Sequence, residues 1–204
     1  MSSELLLAFI LFAFVTSVTP GPNNMMLLAS GINFGLRRSL PHVLGISVGM
    51  LIMVSAIGFG LGELLKIYPP LYQLLRYGGA AYLLYLSWKI ATAGAPQADG
   101  QLSGKPMSFL QAVAFQWVNP KAWIMAIAAI STYVPAQPVA AQILLIAGLF
   151  AMVNYPTCSL WVVAGSLLRR ALQTPLWLRR FNYLMAGLLV LSLYPMLLTP
   201  PAAV

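Results

Sequence analysis

Six consecutive residues constrain this chain more than any others: Thr19-Pro20-Gly21-Pro22-Asn23-Asn24. They interrupt an uncharged apolar stretch, with Leu5 to Val18 before them and Met25 to Ile32 after. Two prolines, a glycine and two asparagines are residue types that end one helix and start the next. In water this would be a surface loop. In lipid, bare backbone N–H and C=O groups have nothing to bond, so such a stretch must be buried in protein or line a cavity.

Composition decides between the two solvents. The chain is 60% hydrophobic and 7% charged, with a mean hydropathy of +0.85, whereas soluble domains carry about 25% charged residues. The reading is therefore an all-α, polytopic membrane helix bundle, with the lipid bilayer as its first partner. The net charge of +8 does not make a nucleic-acid face, because the basic residues lie between apolar runs, as loop charges do. Cys158 is the single cysteine, which rules out an intramolecular disulfide. Met1-Ser2-Ser3-Glu4 has no basic n-region and no small-x-small cleavage site follows, so the first run reads as a retained helix rather than a signal peptide.

About 20 apolar residues cross a bilayer, and six segments qualify. The first covers about 4–33 and is broken at Pro20–Pro22. The second covers about 41–62, with Pro41 in its first turn. It carries Gly45-x-x-x-Gly49 and Gly58-x-x-x-Gly62, spacings that let helix backbones approach closely and leave room for a homodimer. Only twelve residues separate Arg76 from Lys89, so the third must start near Pro69-Pro70 and run past both charges. Gly78-Gly79-Ala80-Ala81 gives it a further small-residue face. A polar linker occupies 93–106. The fourth segment, about 107–133, is interrupted at Asn119-Pro120-Lys121; the fifth covers about 139–168 and the sixth about 181–198, ending at Pro200-Pro201. The whole of 1–204 then forms one transmembrane domain, with halves 1–92 and 107–204.

Orientation follows from the cations. Arg37, Arg38, Lys89, Lys105, Arg169, Arg170, Arg179 and Arg180 fall in the turns after odd-numbered spans, and only Lys66 and Arg76 oppose them. Eight against two places the former turns in the cytoplasm. Six spans then put both termini outside; a broken segment that fails to cross would give five spans and opposed termini.

The two breaks correspond. A shift of 100 positions sets Val18-Thr19-Pro20 on Val118-Asn119-Pro120. Each three-span half thus opens with a broken helix, and an odd number of spans makes the halves opposite in direction. That is the inverted-repeat plan of secondary transporters, with a midplane site between discontinuous helices.

Candidate site residues follow from helix ends. Each break starts a half-helix whose free N–H groups carry partial positive charge. Pro20, Gly21, Pro22, Asn23 and Asn24 form one start, and Asn119, Pro120 and Lys121 the other. Both would suit a carboxylate. Carbonyls ending the preceding half-helices, near Val18 and Val118, would suit an ammonium. Together they match a zwitterionic amino acid; the competing reading is that both prolines merely kink packed helices.

Lys121 lies about twelve residues from either span end, about 18 Å by helical rise. An intramembrane lysine of this kind faces a cavity or a partner, or caps neighbouring carbonyls at a break that admits water. Glu4, Glu63 and Asp99 all lie near span ends or in the linker, so no mid-membrane carboxylate is available to a cationic substrate side chain, and a neutral amino acid is expected. Asn154, beside Pro156, could add a polar contact to the site or make an ordinary interhelical hydrogen bond. His42, at the cytoplasmic edge of the second span, could relay protons or be structural. Cys158 and the aromatic run Tyr82 to Trp88 read as packing. Metal, triad and cofactor signatures are missing, and one histidine cannot build them, so the chain is not read as an enzyme.

Thr19-Pro20-Gly21-Pro22-Asn23, Asn119-Pro120-Lys121, Gly35-x-Arg37 and Gly79-Ala80-Ala81-Tyr82-Leu83 together resemble the LysE/RhtB family of amino-acid exporters. The segment Gly79 to Thr92 is most similar to its cysteine/O-acetylserine branch. The resemblance implies six hydrophobic segments in the bacterial inner membrane and efflux of amino acids or close derivatives, driven by the proton gradient. The non-transport alternative is a membrane-embedded scaffold or assembly factor, for which glycine-rich helix faces would suffice.

Overall fold

The structure is a computed structural model and describes residues 2–93, 105–171 and 174–194. All regular elements among them are helical. Most of the predicted linker and the terminal Pro200-Pro201 lie outside the described residues.

Helix α1 (Ser3–Val18) starts where the Ser2 hydroxyl accepts from the Leu5 amide at 3.2 Å. It ends ahead of Pro20, which cannot continue the ladder. Helix α2 (Pro22–Phe34) follows at 59° to it, with Pro22 at its first position. The first apolar segment is thus two half-helices. Helix α3 (Leu36–Ala56) follows almost without a connection, because Gly35 takes a φ of 79° that turns the chain in one residue. This corrects the expected boundary. Pro41 lies inside α3, and its missing N–H leaves the Arg37 carbonyl without its helical partner.

A wide turn, Ile57–Leu61, follows α3 and is kinked at Gly60, whose φ is 105°. Helices α4 (Gly62–Ile67) and α5 (Pro69–Ala91) complete the first half, and α5 does run past both Arg76 and Lys89. In the second half, α6 (Phe109–Phe115) and a 3-10 turn (Gln116–Val118) are separated from α7 (Pro120–Tyr133) by Asn119. Helix α8 (Ala140–Ala171) then runs through Pro156, and α9 (Pro175–Leu191) closes the described order. Helix α9 begins ahead of the expected 181 because Thr174-Pro175 is a good helix start. Arg179 and Arg180 therefore lie within it, over the Tyr183 and Trp177 rings at 5.5 and 5.3 Å.

Two helices, Leu36–Leu64 and Ala140–Arg169, are individually long and apolar enough to cross a membrane, and the bent pair α1–α2 makes a third span if counted as one. Packing links the halves crosswise. Helix α3 packs on α6 and on α8, α8 packs on α1 and α2, and α5 packs on α9. Gly45 and Gly49 allow the first contact: a Cβ on either would run into Phe109, Ala112, Val113 or Gln116. Gly58 faces Ile130 and Ile143, but Gly62 meets only the Ile57 methyl of its own segment. The tightest crossing is between α2 and α8. There Gly31 and Gly165 face each other's helix backbones with no side chain between.

Candidate functional site

The two breaks meet. Each polar residue of the first break is held by a partner that closes the chain ends around it. Asn24 turns its amide back to the end of α1 and donates to the Ser17 and Thr19 carbonyls at 2.7 and 2.8 Å. These carbonyls have no helical partner of their own, and α1 presents its negative dipole end here. Asn23 reaches across the halves and pairs with the fully buried Gln116, Nδ2 to Oε1 at 2.9 Å and Nε2 to Oδ1 at 3.4 Å.

At the second break, the Asn119 side chain caps α7 by accepting from the Lys121 amide at 3.2 Å. The Lys121 ammonium then crosses to the first break. It donates to the Thr19 carbonyl, to Thr19 Oγ1 at 2.8 Å and to the Pro20 carbonyl at 3.3 Å. Gly21 makes this possible, since a Cβ there would stand 2.7 Å from Lys121 Cδ. The charge is thus taken up by the C-terminal end of α1. Of the readings open to it, Lys121 both lines a cavity and caps carbonyls.

Six of the predicted residues, Gly21, Asn23, Asn24, Asn119, Lys121 and Asn154, line one small cavity between the breaks. Pro20, Pro22 and Pro120 do not; they set the backbone turns, and Pro20 contributes its carbonyl. Asn154 arrives from α8 and donates to Ser17 Oγ at 3.0 Å, while its own oxygen accepts from Ser47 at 3.3 Å. Cys158 is buried one turn further along and also lines the cavity. The cavity volume is about 20 Å³, room for about one water, so the breaks are too close together in this conformation to hold an amino acid.

A second cavity was not legible in the sequence. It has a volume of about 230 Å³ and lies between α2, α3, α5 and the segment entering α6. Its walls include Ser30, Asn33, His42, Tyr82 and Tyr85, with Lys89 and Lys105 also lining it. His42 lies inside α3 rather than at its start, and it is buried by protein at 2% exposure. Two tyrosines of the aromatic run likewise line a cavity rather than only packing. The signal available was the helical spacing of Asn23, Met26, Ser30 and Asn33, which puts a continuous stripe on one side of α2.

The Asn24 bonds carry a stability prediction. Asn24→Ala strips a partner from two carbonyls at the end of α1, an effect of about 1–3 kcal/mol for a buried acceptor left unsatisfied. A thermal melt in detergent should show a clear drop in midpoint, while Ser131→Ala, at an exposed hydroxyl, should leave it unchanged.

Discontinuous helices that meet around a small cavity lined by asparagines and a lysine, inside a bundle with apolar outer faces, are the plan of a membrane transport protein. The chain belongs to the LysE type translocator family, whose model matches residues 14–198. It is similar to the cysteine/O-acetylserine efflux proteins of Escherichia coli K12 and Shigella sonnei Ss046, each 36% identical over 194 residues, covering 93% of this chain and 96% of the relative. The corresponding protein of Escherichia coli O139:H28 is 35% identical over the same length. No solved structure matches the chain.

Proposed function

We propose that this protein is a secondary exporter of small neutral amino acids or their close derivatives across the bacterial inner membrane, coupled to the proton gradient. In this reading six spans form two inverted halves, both termini lie outside, and access alternates around the paired breaks. The observation that carries it is the Lys121 ammonium, contributed by one half and held by the broken helix end of the other.

Those contacts suggest how a zwitterion would open the site. The carbonyls of Ser17, Thr19 and Pro20 attract a cation, and in the closed state that cation is the chain's own lysine, helped by the Asn24 amide. A substrate ammonium can take the lysine's place on these oxygens. Lys121 is then released to hold the substrate carboxylate, together with amides at the start of α2. Both interactions exchange one charge-assisted set for another, so the barrier to opening stays low. Asn23–Gln116 and Asn154–Ser17 give way in the same movement. Among the described residues neither cavity is lined by an Asp or Glu, which supports a neutral side chain over a cationic one. The relatives' names add cysteine and O-acetylserine as the substrates to try first.

The test is export from cells lacking their own exporters and loaded with labelled cysteine, O-acetylserine, threonine, leucine or lysine. O-acetylserine and cysteine should accumulate outside at least about tenfold faster than in cells without the protein, lysine should not, and collapse of the proton gradient should stop the accumulation. Faster export of lysine than of any neutral amino acid would refute the substrate class.

A further inference from the structure

We propose that the 230 Å³ cavity is a second binding site, at which a zwitterionic amino acid is captured on the cytoplasmic side before it reaches the breaks, with the His42 ring as a ligand of its carboxylate. The inference rests on the exporter reading above.

The observation that points to a ligand is His42 itself. It is 2% exposed, it lines the cavity, and neither ring nitrogen has a hydrogen-bond partner among the described residues. Buried polar groups are nearly always paired, and its neighbours obey that rule. Ser30 and Ser39 bond each other at 2.7 Å. The Asn33 amide donates to the Ala29 carbonyl at 2.8 Å and to Asn182 Oδ1 at 3.2 Å. Beside these paired neighbours the imidazole is the polar group left over, and its residue lines the 230 Å³ cavity.

The lining sets the ligand's chemistry. Among the described residues, the titratable groups lining the cavity are His42 from α3, Tyr82, Tyr85 and Lys89 from α5, and Lys105 ahead of α6. Two cations, with no carboxylate among these described residues, favour a ligand with an anionic group. An ammonium is also provided for. The Tyr82 and Tyr85 rings stack at 6.0 Å and offer π faces. Asn33 has committed its N–H groups, which leaves its carbonyl oxygen as an acceptor. The volume falls below the roughly 300–1,000 Å³ of drug-sized pockets and suits a molecule of amino-acid size.

Position makes this a capture site rather than an isolated pocket. Met26 lines the larger cavity and Asn23, one helical turn earlier, lines the smaller. Lys89 and Lys105 belong to the set of charges that the distribution of basic residues assigns to the cytoplasm. A substrate entering past the lysines would meet His42 first, then follow the α2 stripe to Lys121.

His42 is the sole histidine of the chain, so protein made with 15N-labelled histidine and placed in lipid nanodiscs gives a single imidazole signal. We expect O-acetylserine to shift both ring nitrogens saturably. In proteoliposomes of the same preparation, His42→Leu should raise the KM for substrate on the cytoplasmic face on the order of tenfold, the loss of one charge-assisted hydrogen bond, with a smaller change in kcat. His42→Gln, which keeps an N–H donor, should raise it less. O-acetylserine exchange with an unmoved wild-type imidazole signal overturns the capture site and leaves the exporter reading standing. A saturable shift without exchange of any amino acid supports the site and overturns the exporter reading, and failure of both shift and exchange overturns both. The wild-type spectrum decides even where a variant does not fold.

Discussion

Lys121→Ala should reach the membrane at wild-type level and export essentially nothing. Removal of an intramembrane lysine relieves an insertion cost of about 2.5–3.5 kcal/mol, so loss of expression is not the expected cause of any defect. The lost activity has a specific origin. Three oxygens of the first break, on Thr19 and Pro20, share the Lys121 ammonium. Hydrogen bonds to a charged group contribute about 1.5–3 kcal/mol each, and the loss of even one corresponds to more than a tenfold change in an equilibrium. Without the ammonium the closed state loses its charged tie across the halves, leaving Asn23–Gln116 and Asn154–Ser17, and the opened state has no lysine for a carboxylate. Lys121→Arg should fail too, though it keeps the charge. The lysine stem passes close over Gly21, and a longer, planar guanidinium cannot present the compact three-donor geometry with which the ammonium meets these oxygens. Whole-cell export, normalised to the amount of protein in the membrane, measures both. Wild-type export by Lys121→Ala for every substrate would remove the proposed site.

Gly31→Ala and Gly165→Ala should have the largest effect on stability. A Cβ on Gly31 would meet the Val162 carbonyl, the Ser166 amide nitrogen and Gly165 Cα, and one on Gly165 would meet the Leu28 carbonyl and the Ile32 amide nitrogen. These are backbone atoms of a neighbouring helix, so no rotamer change relieves the overlap and α2 and α8 must separate. Overpacking costs about 1–3 kcal/mol where side chains can adjust, and these positions belong at or above the upper end. Separation would also shift Ser30, Asn33 and Asn154, which line the two cavities. Fluorescence-detected size exclusion after heating should show early loss of the folded peak for both variants. Gly148→Ala and Gly187→Ala are the controls: a Cβ there meets nothing within 4 Å, and alanine favours a helix over glycine by up to about 1 kcal/mol. They should be neutral or slightly stabilised.

Much of this was open to a reader of the sequence because it depends on near neighbours along the chain. Proline, glycine and asparagine disrupt a helix through their own backbone and side-chain chemistry, so Pro20-Gly21-Pro22 and Asn119-Pro120 announce both breaks without any tertiary information. Runs of apolar residues announce the helices. The cost of a charge in lipid singles out Lys121. Boundaries are less legible where a single residue turns the chain, as Gly35 does ahead of α3, and where basic residues continue a helix under aromatic rings, as Arg179 and Arg180 do in α9.

What faces what was decided only by the fold. That the Lys121 ammonium rests on Thr19 and Pro20, 102 and 101 positions away, depends on how the halves dock, and no local pattern encodes it. The same holds for Gln116 as the partner of Asn23, 93 positions apart, and for Gly31 against Gly165. Spacing rules drew attention to Gly45 and Gly49, yet the closest crossing uses two lone glycines, each of which matters only because of the other. His42 is the sharpest case. Its sequence position speaks only of a span edge, whereas the packing of α2, α3 and α5 buries it beside a cavity, with neither ring nitrogen paired among the described residues. The sequence by itself determines where the backbone must break and that a charge lies near a break. Tertiary packing decides which oxygens receive that charge and where a second polar cavity opens, because both depend on helices brought together from distant parts of the chain.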